Sequence, residues 1–466
     1  MTLPPGPAKP RFVQGAYALA MPMRGLPRLR ERYGKAFTVN VPIFGRAVVI
    51  SDPAEIKQLF QTDTALADNI EPNLGRVLGS RSMFALMGEE HRRQRKLLVP
   101  PFHGRRLAAY ERIFEDETVR EMASWPRGRP FPVLPSMMRI TLNAILRTVF
   151  GAEGKEFDEL RDLLPRMVTL GSRLAAAPIP RFGGKFGPWA RFFAMRREYD
   201  RVIERLVAKT RRAGDLDDRD DVLAMMLQSR YDDGSPMSGN EIADQLLTLL
   251  AAGHETTATT LAWTVERLRR HPGVLAELVA EADAGGKRLR EATLVEVQRT
   301  RPVIDMVGRK VKADALELGP WVVPKGYAIL VSIGLIHDDD AVFPDAARFD
   351  PHRFLGSRPD LYEWIPFGGG TRRCLGAAFA TLEMNVVLRT VLRDVTLAPT
   401  TEPAERWHSR GVANAPGKGG LAVVHRRTAT STTSTTSTTS TTSTTSTTST
   451  TSTEVTAEPA GEGARS

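Results

Sequence analysis

Cys374 sits in FGGGTRRCLG, residues 367–376, and it is the only cysteine among 466 residues. A lone thiol forms no internal disulfide. Its neighbours favour the thiolate. Arg372 and Arg373 place positive charge beside the sulfur, and Leu375, Phe379, Leu382 and Val386 follow at helical spacing. That spacing predicts a helix with Cys374 at its N-terminus, where unpaired backbone N–H groups and the macrodipole stabilise an anion. Gly368, Gly369 and Gly370 permit a tight turn with positive φ angles. Gly376 removes a side chain where something flat would approach the backbone. A small thiol packed in a core is the plain alternative for any lone cysteine, but it needs neither the glycines nor the arginines. The expected chemistry is that of a soft anionic metal ligand.

A second group lies upstream, in AAGHETT, residues 251–257. Glu255 and Thr256 make an adjacent acid–alcohol pair suited to moving protons. Ala251, Ala252 and Gly253 leave open volume beside them. Two better-known motifs fail nearby. A zinc-binding H-E-x-x-H needs histidine at position 258, which is Ala258, and a nucleotide-binding G-x-G-x-x-G needs glycine at 373, which is Arg373. For the thiolate, the strongest candidate role is an axial ligand of haem iron.

These residues need rigid supports. Ser238 and Glu241 have capping-box spacing, and the helix they open is expected to run to about His271 before Pro272. That is about 33 residues and ~50 Å, enough to cross a domain. Its middle holds Gly253 and Thr256, Thr257, Thr259 and Thr260, which favour local bending. Near the N-terminus, AFTVNVPIFGRAVVISDP reads as a hairpin turning near Gly45, followed by a helix with Asp52 as N-cap and Pro53 at its first position. Residues 88 to 300 are mostly helical in pattern, and strand-like pieces return at GRKVKADALEL, WVVPKGYAILVSI and GGLAVVH. The expectation is a mainly α protein with a small β subdomain assembled from both ends of the chain.

The cysteine loop resembles the cytochrome P-450 signature F-x-x-G-x-R-x-C-x-G at every fixed position: Phe367, Gly370, Arg372, Cys374 and Gly376. AGHET resembles the family's A-G-x-E/D-T segment. The resemblance spans roughly residues 4 to 425. It implies the cytochrome P-450 fold, with haem b buried between the long helix and the cysteine loop. Cys374 would be the iron ligand, Phe367 would shield the sulfur, and Arg372 would pair with a haem propionate. Gly368, Ala252 and Gly253 would border the cofactor. His91 and Arg95, one helical turn apart in EEHRRQRKLLVPPFH, and Arg309 in VGRKV would supply further propionate contacts. Glu296 and Arg299 in EVQRTRP, with Arg353 in DPHRF, would form a buried structural network. Glu255 and Thr256 would deliver protons to oxygen. The residues around Phe84 and Leu86, the segment 302–308 and the Pro/Gly-rich 177–188 would wall the substrate site.

The implied activity is a monooxygenase of the soluble bacterial type, acting on a mainly apolar organic substrate with O2. No flavin or iron–sulfur motif is present, so electrons would come from a separate ferredoxin or flavodoxin with its NAD(P)H-dependent reductase. Arg92, Arg93 and Lys96 would steer that acidic donor. A haem-thiolate peroxygenase, isomerase or dehydratase is the nearest rival, and Glu255 with Thr256 speaks against it. A haem sensor or carrier is the non-enzymatic rival.

The bulk numbers fit. The formal net charge is +10, hydrophobic residues make up 42 % and charged residues 25 %. That charge alone would suit nucleic acid, but no basic run is interleaved with aromatics. There is no signal-peptide pattern, and FVQGAYALAMPM is too short for a membrane anchor. A cytoplasmic monomer is expected. From Ser431 the triplet Ser-Thr-Thr repeats seven times, to Thr451. Such a tract cannot offset its ordering entropy, so the chain divides into a haem domain, 1–427, and a disordered tail, 428–466.

Overall fold

The computed structural model describes residues 2–10, 12–14, 25–41, 44–70, 74–104, 106–151, 154–175 and 186–427. The expected Ser/Thr tail, most of the apolar stretch 12–23, and 177–185 of the expected pocket wall lie outside these. Nine helices position the site: α1 (Pro53–Gln61), α2 (Gly88–Leu98), α3 (Arg106–Met122), α4 (Leu134–Phe150), α5 (Lys155–Leu174), α6 (Gly187–Ala213), α7 (Gly239–Leu268), α8 (Arg288–Thr300) and α9 (Ala377–Asp394). The strands that matter are β1 (Ala36–Val41), β2 (Gly45–Ile50), β3 (Ala67–Asp68), β4 (Met306–Val311), β5 (Ala328–Ser332), β6 (Trp407–Ser409) and β7 (Asn414–Pro416).

Helix α7 is the long helix, opened by the expected capping box between Ser238 and Glu241. It ends at Leu268, earlier than expected, because His271 is the N-cap of the next helix and Pro272 its first residue. A residue before proline is pushed out of the α region. No break interrupts the threonine-rich middle. The hydroxyls of Thr256, Thr260 and Thr264 donate back to the carbonyls of Ala252, Thr256 and Thr260. Helix α4 packs along α7, and Thr141 ties the two by donating to the His254 carbonyl at 3.0 Å.

The expected hairpin is β1–β2, with Ala36 opposite Ile50. Asp52 caps α1 by accepting from the Ala54 N–H at 2.9 Å. The main sheet runs β1-β2-β5-β4-β3, with β2 and β5 parallel. The first and later parts of the chain therefore share one sheet, as expected. The C-terminal GGLAVVH does not join it. Leu421–Ala422 pairs with Phe131–Pro132, and Val424–Arg426 pairs with Val395–Leu397. The sequence shows strand propensity there but not the partner, which is set by tertiary contact.

The helix after the cysteine is anchored by Phe379. Its ring meets Phe114 edge-on at 5.1 Å, with Phe102 and Tyr110 at 5.7 and 5.8 Å. Burying such a ring stabilises by roughly 2–3 kcal/mol, which fixes α9 and so the loop that leads into it. Among the described residues, no helix is long and apolar enough to cross a membrane.

Candidate active site

Helix α9 starts at Ala377 with Gly376 as N-cap, so Cys374 precedes the helix rather than beginning it. The helix end still acts on the sulfur, because the Gly376 N–H donates to it. The Cys374 N–H donates to the Phe367 carbonyl at 2.9 Å, closing the loop. Gly368 and Gly370 have φ of 64° and 63°, but Gly369 is extended. The need for glycine at 369 is space: a Cβ there would lie 2.1 Å from the Phe60 ring. A Cβ on Gly376 would meet open space. Phe367 packs edge-on against Trp364 at 5.9 Å, and Trp364 donates to the Val295 carbonyl of α8. Trp364 was not singled out from sequence, since nothing in its local pattern marks it.

Cys374 has accessible surface, yet protein encloses it closely enough that burial pushes its thiol above the ordinary value. The Gly376 N–H, Arg95 and Arg373 oppose that rise. Both facts hold if the sulfur faces an interior space. Ala252 tells the same story from α7: it is exposed at the midpoint of a helix that otherwise runs through the core. Gly253 faces elsewhere, 3.4 Å from Ile145 of α4 as judged by its missing Cβ.

A cationic cluster lies near the sulfur. His91 on α2 is buried, and burial, then Arg372 and Arg95, push its pKa down to about 3. Burial lowers Arg309 on β4 to about 10. Arg309 donates to the Gly308 and Gly369 carbonyls and lies over the Phe60 ring. The cluster's carboxylate is Asp68 on β3. Burial would raise it, but hydrogen bonds from Arg372 and the Gly88 N–H hold it near 2. Arg372 bonds Asp68 at 2.7 Å and the carbonyls of Met83 and Leu86 at 3.1 and 2.7 Å. Its guanidinium is thus committed within the protein. Arg95 and His91 have no side-chain hydrogen bond to any described residue. A neutral, buried imidazole and a half-buried guanidinium near Cys374, both without protein acceptors, leave N–H donors that fit the two carboxylates of a haem.

Behind the loop, Glu296 and Arg299 pair twice, at 2.7 and 2.8 Å, with both side chains buried. Glu296 also accepts from the Asp350 N–H at 2.8 Å. Arg299 donates further to the carbonyls of His337 and Arg348. Arg353 approaches Glu296 at 3.5 Å and donates to the carbonyls of Pro344, Asp345 and Arg348. The three residues are brought together.

Glu255 and Thr256 are not bonded to each other. Thr256 donates to the Ala252 carbonyl at 2.8 Å, while Glu255 accepts from Arg410 at 2.9 Å. Arg410 lies 155 residues away in the chain and carries no sequence signal. The basic face of α2 is smaller than its composition suggests. Arg92, Arg93 and Lys96 are paired with Glu89, Asp233 and Asp232. Exposed Arg373 has no ion pair among the described residues. Nor do three His, Cys, Asp or Glu side chains converge on one point among the described residues.

This arrangement is that of a haem-thiolate enzyme, and the chain belongs to the cytochrome P-450 family, whose model matches residues 4–423. It is 56 % identical over 426 residues to a putative cytochrome P-450 138 of Mycobacterium tuberculosis, covering 91 % of this chain and 97 % of that one. It is 39 % identical to a putative cytochrome P-450 135B1 of the same species, covering 90 % of each. Among solved structures, a retinoic-acid-bound cyanobacterial CYP120A1 superposes with a TM-score of 0.79 at 22 % identity, over 92 % of this chain and all of that one. The last likeness shows the fold. The protein is a haem-dependent monooxygenase.

Proposed function

We propose that this enzyme inserts one oxygen atom from O2 into a mainly apolar organic substrate, with electrons supplied by a separate ferredoxin or flavodoxin and its reductase. The observation that carries this reading is Cys374: an accessible thiol inside an enclosed, cation-flanked loop, held by a backbone N–H. Haem bound there supplies oxygen activation, to which a thiolate ligand contributes electron density. Cys374 would hold the group, and His91 and Arg95 would supply N–H donors to its carboxylates. Arg309 and Arg372 brace the same edge through backbone carbonyls and Asp68. Thr256 keeps its hydroxyl on α7 next to Ala252, where it passes protons toward the reacting oxygen, and Glu255 replenishes them. Exposed Arg373 is the cation nearest in sequence to the ligand that an acidic electron donor would meet.

The test is spectroscopic. The reduced, carbon-monoxide-treated protein should show the red-displaced Soret band of thiolate ligation, and Cys374→Ser should lose it while remaining folded. A spin-state screen over fatty acids, terpenoids, steroids and polyketides then identifies the substrate class. Thr256→Ala should keep haem and substrate binding but divert electrons to peroxide. Unchanged coupling of electron use to product would remove Thr256 from the relay.

A further inference from the structure

Glu255 forms part of the wall of a 510 Å3 cavity on the side of α7 that faces α4 and α5. Four arginines share that wall: Arg120, Arg139, Arg161 and Arg410. Side-chain exposure falls from 55 % at Arg120 and Arg139 to 32 % at Arg161 and Arg410, and to 9 % at Glu255. The Glu255 carboxylate is the least exposed of these five charged side chains on the wall. Three of the arginines have partners of their own: Arg120 with Glu117, Arg139 with Glu121 and Arg161 with Asp158. Arg410 differs, because its carboxylate is on α7.

Arg410 follows β6 at the tip of the β6–β7 hairpin, where its N–H donates to the Ala413 carbonyl at 2.9 Å. The tip is seated against α5. Gly411 has a φ of 110°, and a Cβ there would lie 3.0 Å from Ser172. A turn held this closely gives the guanidinium a fixed origin. Arg410 holds Oε1 of Glu255. Oε2 has no hydrogen bond to a described residue, so it is free to meet water in a polar, roomy cavity.

We propose that this cavity is the water route for proton delivery, and that Arg410 is the positioning residue that holds Glu255 on its wall. This rests on the reading of Glu255 and Thr256 as proton-delivery groups. Water in the cavity relays a proton from bulk solvent to Oε2 and is itself left neutral. The carboxyl passes a proton on toward the Thr256 side of α7 and returns to the carboxylate. No other bond or electron changes place at Glu255.

The test uses the full-length, haem-loaded enzyme and the variants Glu255→Gln, Arg410→Gln, Arg410→Lys and the Glu255→Gln/Arg410→Gln double mutant. Infrared bands absent from Glu255→Gln identify the native carboxylate, and Arg410→Gln should shift them, a readout independent of turnover. With a substrate found by the spin-state screen, Arg410→Gln should lower product per electron by about tenfold and enlarge the solvent deuterium effect. Positioned acid–base groups typically contribute ~10²–10⁴ in rate, so this is a partial loss. The double mutant should be no worse than Glu255→Gln, and Arg410→Lys should restore part of the coupling. If Arg410→Gln lost its haem, Gly411→Ala would serve instead: it keeps both charges, displaces the hairpin tip, and should lower coupling in the same direction. If Glu255→Gln lowers coupling while Arg410→Gln moves neither the bands nor the coupling, Arg410 has no such role and the Glu255 reading stands. If Glu255→Gln leaves coupling unchanged, both fall.

Discussion

Two charged regions flank the cysteine loop, and they are built on opposite principles. Behind it, Glu296 bonds Arg299 and lies 3.5 Å from Arg353, and the two arginines donate to the carbonyls of Pro344, Asp345, Arg348 and His337. Beside it, His91 and Arg95 have no protein acceptor, and the Asp68 carboxylate serves a cluster that also holds Arg309 and Arg372. A closed network acts as a strut, because the buried Glu296–Arg299 pair already finds its partners within the protein. An open cluster with excess positive charge keeps donors available to an outside anion, and it therefore marks a binding site.

Breaking the closed network should have the largest effect. Arg299→Leu leaves the Glu296 carboxylate buried without its partner and should cost about 3–5 kcal/mol, read as a lower urea midpoint or loss of folded protein. If the midpoint stays within error of wild type, the strut description is wrong.

Asp68→Asn comes next. The folded pKa near 2 lies below the ordinary carboxylate value, so the stabilisation is complete above about pH 4 and is lost as pH falls through 2. The substitution should therefore cost about 2 kcal/mol at pH 7 and progressively less on acidification. An equal loss in urea unfolding at pH 7 and pH 3 would show that the effect is not electrostatic.

Arg95→Gln should separate the two regions most cleanly. It removes a charge that no described residue uses, so the urea midpoint of the haem-free protein should stay put. Haem affinity should fall about tenfold, the scale of one charge-assisted hydrogen bond. Haem titration and urea unfolding on the same preparation decide it. A stability loss without an affinity loss would place Arg95 in the strut instead.

Local patterns read well in this chain. The capping box of α7, the Asp52–Pro53 start of α1 and the β1–β2 hairpin depend on residues a few positions apart, and each formed where its pattern lies. Boundaries were less legible. The spacing from Leu375 onward predicts Cys374 at the helix N-terminus, and the helix begins three residues later, at Ala377. Gly369 looked like a turn glycine, yet it is there because Phe60, more than 300 residues earlier, occupies the space of a side chain.

The sequence by itself determined the chemistry available: one thiol, its glycines and arginines, an acid beside an alcohol, and a helix long enough to carry them. Tertiary structure decided which groups are committed and which remain free. Arg372 turns to Asp68 across 304 positions and Glu255 to Arg410 across 155. The physical reason is that a charge's partner is set by distance and burial in the folded state, and neither is encoded in the spacing of residues along the chain.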